Sequence, residues 1–362
     1  MTITKFGTPL ALVAAASLAL AGCAANEAPA GSGTPGSGSL SGTLTGKGSS
    51  AMKAAQEKWI ADFQGKNSGV TVNYSPDGSG PGRSGFISGA VDFGGSDAAL
   101  SDDEIKGPFA KCASGSSALD LPVYVSPIAL IYNLADVPDL KLDADTAAGI
   151  FSGAITKWND PKIVALNPGD KLPAANITAV HRSEDSGTTK NFTDYLASAA
   201  PKVWTNKASG MWPDAYKGEA AKGTAGVVSA VKGGTNTIGY ADESQAKGVG
   251  IAQIKVGDKY LKPTAEAAAA ILEKSEQVAG RKANDLAYKL NRTAADVYPV
   301  VLVSYVIVCE QYSDAKTGAL VKSYVSYIAS ADGQASAASA AGSAPLSAAI
   351  QAKVKTAIDS IQ

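Results

Sequence analysis

The stretch Ile177-Thr178-Ala179-Val180-His181-Arg182-Ser183-Glu184-Asp185-Ser186-Gly187-Thr188-Thr189-Lys190-Asn191-Phe192-Thr193-Asp194-Tyr195-Leu196 changes its character twice. Ile177 to His181 reads as a strand. Phe192, Tyr195 and Leu196 mark one face of a helix. Between them, Arg182 to Thr189 is a turn rich in Gly, Ser and Thr. Strand, small polar turn and helix make the repeating unit of α/β domains.

The same alternation continues on both sides. Val70-Thr71-Val72-Asn73-Tyr74 alternates as a strand does, and Met52, Ala55, Trp59 and Phe63 precede it at helical spacing. Val123 to Tyr132 is a nearly continuous apolar run, as a buried strand would be, and Val300 to Val308 is a further strand. Ser101 with Glu104 has the spacing of a capping box opening a short helix. No internal repeat is visible. The pattern predicts an α/β fold with mixed, mainly parallel sheets.

Four segments place Gly, Ser and Thr before a helical pattern: Gly46-Lys47-Gly48-Ser49-Ser50-Ala51, Gly78-Ser79-Gly80-Pro81-Gly82, Phe93-Gly94-Gly95-Ser96-Asp97-Ala98, and Arg182 to Thr189. Helix starts expose unpaired N–H groups and the positive end of the helix dipole. Gly allows close backbone approach and hydroxyls add donors, so four converging starts would form an anion cradle. Taken singly, Ser50 or Ser79 is better explained as a helix cap, so the reading rests on the set.

Arg182 ends the strand that feeds Ser186, where a guanidinium can grip two oxygens of a tetrahedral anion; a structural ion pair with Glu184 is the competing role. Asp97 would repel a bare anion but can accept a hydrogen bond from a protonated oxyanion. Phosphate carries a proton at neutral pH and sulfate does not. Losing one hydrogen bond to a charged group costs about 1.5–3 kcal/mol, a discrimination of at least ten- to a hundredfold. Micromolar affinity needs about −8 kcal/mol, within reach of several such bonds after association costs.

The 362 residues carry a net charge of −1, 45% hydrophobic residues and a single histidine. No long basic run favours nucleic acid. Met1 to Cys23 reads as an export signal, with Lys5 its only charge and an apolar core from Leu10 to Leu20 too short to span a bilayer comfortably. It ends Leu20-Ala21-Gly22-Cys23, which resembles the bacterial lipobox, so Cys23 is expected to carry a lipid anchor. Residues 24–43 are small and polar and read as a flexible tether. Cys112 and Cys309 would meet an oxidising environment after export, where a disulfide and two buried free thiols are both open.

These segments together resemble the periplasmic phosphate-binding protein family of the phosphate-specific ABC transporter. The most specific pieces are Leu44-Thr45-Gly46, Val91 to Asp97, Ile155-Thr156-Lys157-Trp158-Asn159-Asp160, Arg182 to Thr188, and Ile238-Gly239-Tyr240. The resemblance implies a two-lobed periplasmic-binding-protein-like fold of type II with a hinge. Residues 44–124 and 303–362 would form lobe I and 125–302 lobe II, with Cys112 and Cys309 in or near lobe I. It implies phosphate ligands at Ser50, the Ala51 amide, Ser79, Asp97, Arg182, Ser186, Gly187 and Thr188. Ala51 replaces the usual aromatic, and Asp185 a common Gly. Glu184 would orient Arg182 or accept a second phosphate proton. It implies a monomer with no cofactor and no metal, delivering inorganic phosphate to ABC permease subunits and touching the membrane only through its lipid.

Three other readings have distinct signatures. Asp97 separates phosphate from sulfate, molybdate or a phosphonate. A phosphoester hydrolase would need a base, but His181 is the only histidine and strand alternation turns it away from Arg182. The serines lack a Gly-x-Ser-x-Gly elbow, and a metal phosphatase would want a His and carboxylate cluster that a single histidine does not favour, so no enzyme is expected. A sensing or adhesive role on the same fold is the third.

Overall fold

The computed structural model describes residues 40–362. The readings of 1–23 as a lipidated signal and of most of 24–43 as a tether lie outside those residues. The first strand, β1 (Gly42–Gly48), corrects the tether's end. Gly42 and Thr43 already pair with β2 (Val70–Ser75), and the Gly42 amide donates to Gly69 O at 3.0 Å. Between these strands runs α1 (Lys53–Lys66), which buries Ala55, Trp59 and Phe63, the residues whose spacing predicts it. Next come α2 (Ser79–Ile87), β3 (Phe93–Ser96) and the long β4 (Ala118–Asn133).

The chain continues through β5 (Lys141–Leu142), α3 (Ala144–Ser152), α4 (Pro161–Leu166), β6 (Thr178–Arg182), α5 (Gly187–Ala199), β7 (Glu219–Ala221), α6 (Gly223–Gly233) and β8 (Thr237–Asp242). Short strands β9 (Gly250–Ile251), β10 (Gln253–Val256) and β11 (Lys259–Leu261) lead into α7 (Ala265–Glu273). The hairpin β12 (Glu276–Gln277) and β13 (Tyr288–Lys289) precedes β14 (Val301–Cys309), and α8 (Ala315–Ala329), α9 (Ala331–Ala341) and α10 (Ala348–Asp359) end the chain.

The described residues form a nine-stranded sheet in the order β2-β1-β3-β14-β4-β8-β6-β7, with β9 beside β4. Both flanks are parallel, and the centre is antiparallel across β3–β14–β4–β8. The fold is therefore mixed α/β, as the alternating pattern implies. β4 serves both sides. Ala118 to Pro127 pair with β14, and Ile128 to Asn133 pair with β8. Its central residues are buried on both faces, which is why they read as one apolar run. Ser101 and Glu104 exchange the capping-box bonds at 2.8 and 3.2 Å, opening a short 3-10 turn. Cys112 and Cys309 are joined, tying the chain after β3 to the end of β14.

Candidate functional site

The site lies where the ends of β1, β3 and β6 meet the starts of α2, α5 and α6. The chains approach so closely that side chains are excluded. Gly48 has φ +147°, and a Cβ there would strike the Gly95 backbone. At Gly187 an added Cβ would lie 2.5 Å from Ser79 Oγ and 2.7 Å from Asp97 Cβ. The first turn of α5 thus presses directly on the two segments from the other side of the sheet.

Arg182, at the end of β6, is 2% exposed. Its Nε donates to Glu184 Oε1 at 2.8 Å, Nη2 to Ser50 Oγ at 3.0 Å, and Nη1 makes a long bond to Thr188 Oγ1 at 3.4 Å. Glu184 Oε1 also accepts from the Gly223 amide at 3.1 Å. Burial pushes the Glu184 carboxyl up, but the Arg182 hydrogen bond and charge outweigh it and hold it below its usual range. Of the two roles implied for Glu184, the geometry carries the orientation of Arg182. The Tyr240 hydroxyl accepts from the Arg182 amide at 3.2 Å and bonds Thr189 Oγ1 at 2.7 Å, bracing this corner.

Asp97 is buried just beyond the end of β3. Ser304 on β14 donates to its Oδ1 at 2.8 Å and Ser49 donates to the same oxygen. Thr188 donates to Oδ2 at 3.1 Å. Burial pushes the carboxyl above its usual value, against these hydroxyls and the charge of Arg182. A carboxylate offers about four lone-pair positions. Three carry hydroxyl donors, so Oδ2 retains one acceptor position.

The serines differ in role. Ser50 does not cap α1. Its Oγ accepts from the Thr224 amide at 3.1 Å, in the first turn of α6, besides meeting Arg182. Ser79 Oγ accepts from the Asp97 amide at 3.0 Å rather than capping α2. Ser186 is an ordinary N-cap, accepting from the Thr189 amide at 3.2 Å. The Ala51 amide turns toward Ser49 Oγ at 3.2 Å, within its own loop.

Phe93 to Ser96 corrects one expectation. The segment is β3, hydrogen-bonded between β1 and β14, and no α-helix starts there. Its glycines allow packing against Gly82 and Tyr74 rather than a turn. The remaining helix start is that of α6, where Gly223 and Thr224 reach Glu184 and Ser50. Ser49, Thr224 and Ser304 were not among the expected residues, and only Ser49 lay inside one of the four Gly/Ser/Thr segments. His181 faces away, stacked on Trp212 at 4.8 Å, and burial lowers its pKa. Among the described residues no group of His, Cys, Asp or Glu has metal-binding geometry, and no helix is long and apolar enough to cross a membrane.

The description PBP superfamily domain matches residues 33–332. Phosphate-binding protein PstS 3 of Mycobacterium tuberculosis (strain ATCC 25618 / H37Rv) is 36% identical over 347 residues, 90% of either chain. This chain belongs to the PstS family. PstS 2 of the same organism is 34% identical across the whole of both chains. Among solved structures, the periplasmic phosphate-binding protein PfluDING bound with phosphate has a TM-score of 0.70 at 20% identity, covering 87% of this chain and 93% of that one. A human phosphate binding apolipoprotein has 0.67 at 18%, covering 86% and 93%. Both likenesses concern the fold, which is the two-lobed fold implied by the resemblance.

Proposed function

We propose that this PstS-family chain is an extracytoplasmic solute-binding protein that captures inorganic phosphate and delivers it to an ABC importer. Ser50, Ala51, Ser79, Asp97, Arg182, Glu184, Ser186, Gly187 and Thr188 form the phosphate site, and Thr224 joins them. Arg182 supplies the charge, the amides and hydroxyls at the starts of α2, α5 and α6 supply donors, and Glu184 holds the guanidinium in place. The carrying observation is the remaining acceptor position on Asp97 Oδ2, suited to a proton borne by the anion. The relatives' phosphate-binding names support the same ligand.

Residues 42–124 and 303–362 form one lobe and 125–302 the other, with the crossing strands β4 and β14 as hinge. The lipid on Cys23 holds the monomer to the membrane. Titration calorimetry with phosphate and sulfate at neutral pH tests the ligand. The expected result is one phosphate site of micromolar affinity or tighter, with sulfate at least about tenfold weaker. Equal affinity for the two anions would defeat the role given to Asp97. Metabolic labelling with a palmitate analogue tests the anchor, and Cys23→Ser is expected to abolish it.

A further inference from the structure

We infer that Arg83 and Asp185 form a clasp across the cleft that sets how fast the bound anion leaves. This rests on the proposed phosphate site and adds to it a positioning pair that is not among the residues around Arg182. Arg83 lies on α2, one turn beyond Ser79, with its side chain 10% exposed. Its Nε donates to Glu104 Oε1 at 3.0 Å and Oε2 at 3.2 Å, and Nη1 to Ser96 Oγ at 3.3 Å. Both partners belong to the β1–β3 side of the sheet. Nη2 donates to Asp185 Oδ2 at 2.9 Å, and Asp185 belongs to the β6 side.

Two neighbours fix Asp185 for this contact. The Gly80 amide donates to its carbonyl at 3.0 Å, and a Cβ on Gly80 would come within 2.5 Å of Asp185 Cβ. Gly210 leaves room for the carboxylate on the other flank, where Ser186 N also bonds Gly210 O at 3.0 Å. Arg83 is therefore aimed by two partners on its own side, and only the third bond crosses. When the halves part, Glu104 and Ser96 stay with the guanidinium and Asp185 does not. The pair acts on the closed form alone, so its removal changes release rather than capture. It also stands apart from selectivity, which belongs to Asp97.

Release of radiolabelled phosphate after rapid dilution tests the clasp. Asp185→Asn and Arg83→Gln are each expected to speed release about tenfold, as fits loss of one charge-assisted bond. Association rate and the preference for phosphate over sulfate are expected to hold. The double variant is expected to release no faster than either single one, because both remove the same bond. Asp185→Asn is also expected to melt, without phosphate, at the wild-type temperature. Release within twofold of wild type in both single variants, or effects that multiply in the double variant, would overturn the clasp. Failure of the unsubstituted chain to bind phosphate would overturn the site reading itself, and the clasp with it.

Discussion

Arg182 and Arg292 are both withdrawn from solvent, at 2% and 4% exposure, but they are partnered in opposite ways. Arg292 donates Nε to Asp194 Oδ2 at 2.8 Å, Nη1 to Val301 O at 2.6 Å and Pro299 O at 3.3 Å, and Nη2 to Asn191 Oδ1. Its fork ends on a carboxylate, an amide oxygen and two main-chain carbonyls, none of which can become a donor. Arg182 is held only at one edge by Glu184 and otherwise meets the hydroxyls of Ser50 and Thr188. A hydroxyl can rotate from acceptor to donor. An anion arriving at Arg182 can thus be met by the guanidinium and by the Ser50 hydroxyl that had been its acceptor. Burial alone does not separate the two arginines; the chemistry of their partners does.

The sharpest break in this comparison comes from Arg182→Met. It removes the cation and leaves the half-buried Glu184 without its counter-charge, so phosphate affinity is expected to fall about a thousandfold, roughly 4 kcal/mol, by calorimetry. Arg292→Met reverses the emphasis. It strips donors from Asn191 and two carbonyls and is expected to cost about 3 kcal/mol in denaturant unfolding, with phosphate affinity changed less than tenfold. Comparable affinity losses in the two variants would collapse the distinction.

Asp97→Asn refines the anion side of the account. It is expected to improve sulfate binding about tenfold while weakening phosphate less, since an amide no longer repels a bare oxyanion. If phosphate binding collapsed while sulfate stayed excluded, Asp97 would have another role. A separate effect, on stability rather than binding, concerns Asp242, which accepts from Tyr124 Oη at 3.1 Å across β4 and β8. Burial raises its carboxyl to about 7, against hydrogen bonds from Ser244, Ser126 and Tyr124. A raised carboxyl means the folded form holds a proton that the unfolded form has released. Stability should therefore fall as pH rises from about 5 toward 7, by about 1 kcal/mol per pH unit. Asp242→Asn should flatten that slope in urea melts.

Much of the site was legible because it is built from local segments. The turn from Arg182 to Thr188 carries its own strand, cap and helix, and β2, β4, β6 and β14 fall within a residue or two of their expected cores or extend them. The 93–98 segment misled because a Gly-Gly pair signals a turn in isolation, whereas here it lets a central strand pass close beneath its neighbours. Ser304 and Thr224 left no local sign. Ser304 reaches Asp97 across 207 residues, and Thr224 reaches Ser50 across 174. Only the sheet order and the placement of α6 bring them in. Asp185 likewise gains its meaning from Arg83, which lies 102 residues away.

A crystal structure of the protein grown with phosphate at neutral pH bears most directly on the whole account. A tetrahedral anion is expected between Arg182 and Asp97, with one oxygen within hydrogen-bond distance of Asp97 Oδ2 and others on Ser50, Ser79 and the start of α5. An anion bound elsewhere, or one that leaves Asp97 and Arg182 bonded only to protein groups, would contradict it.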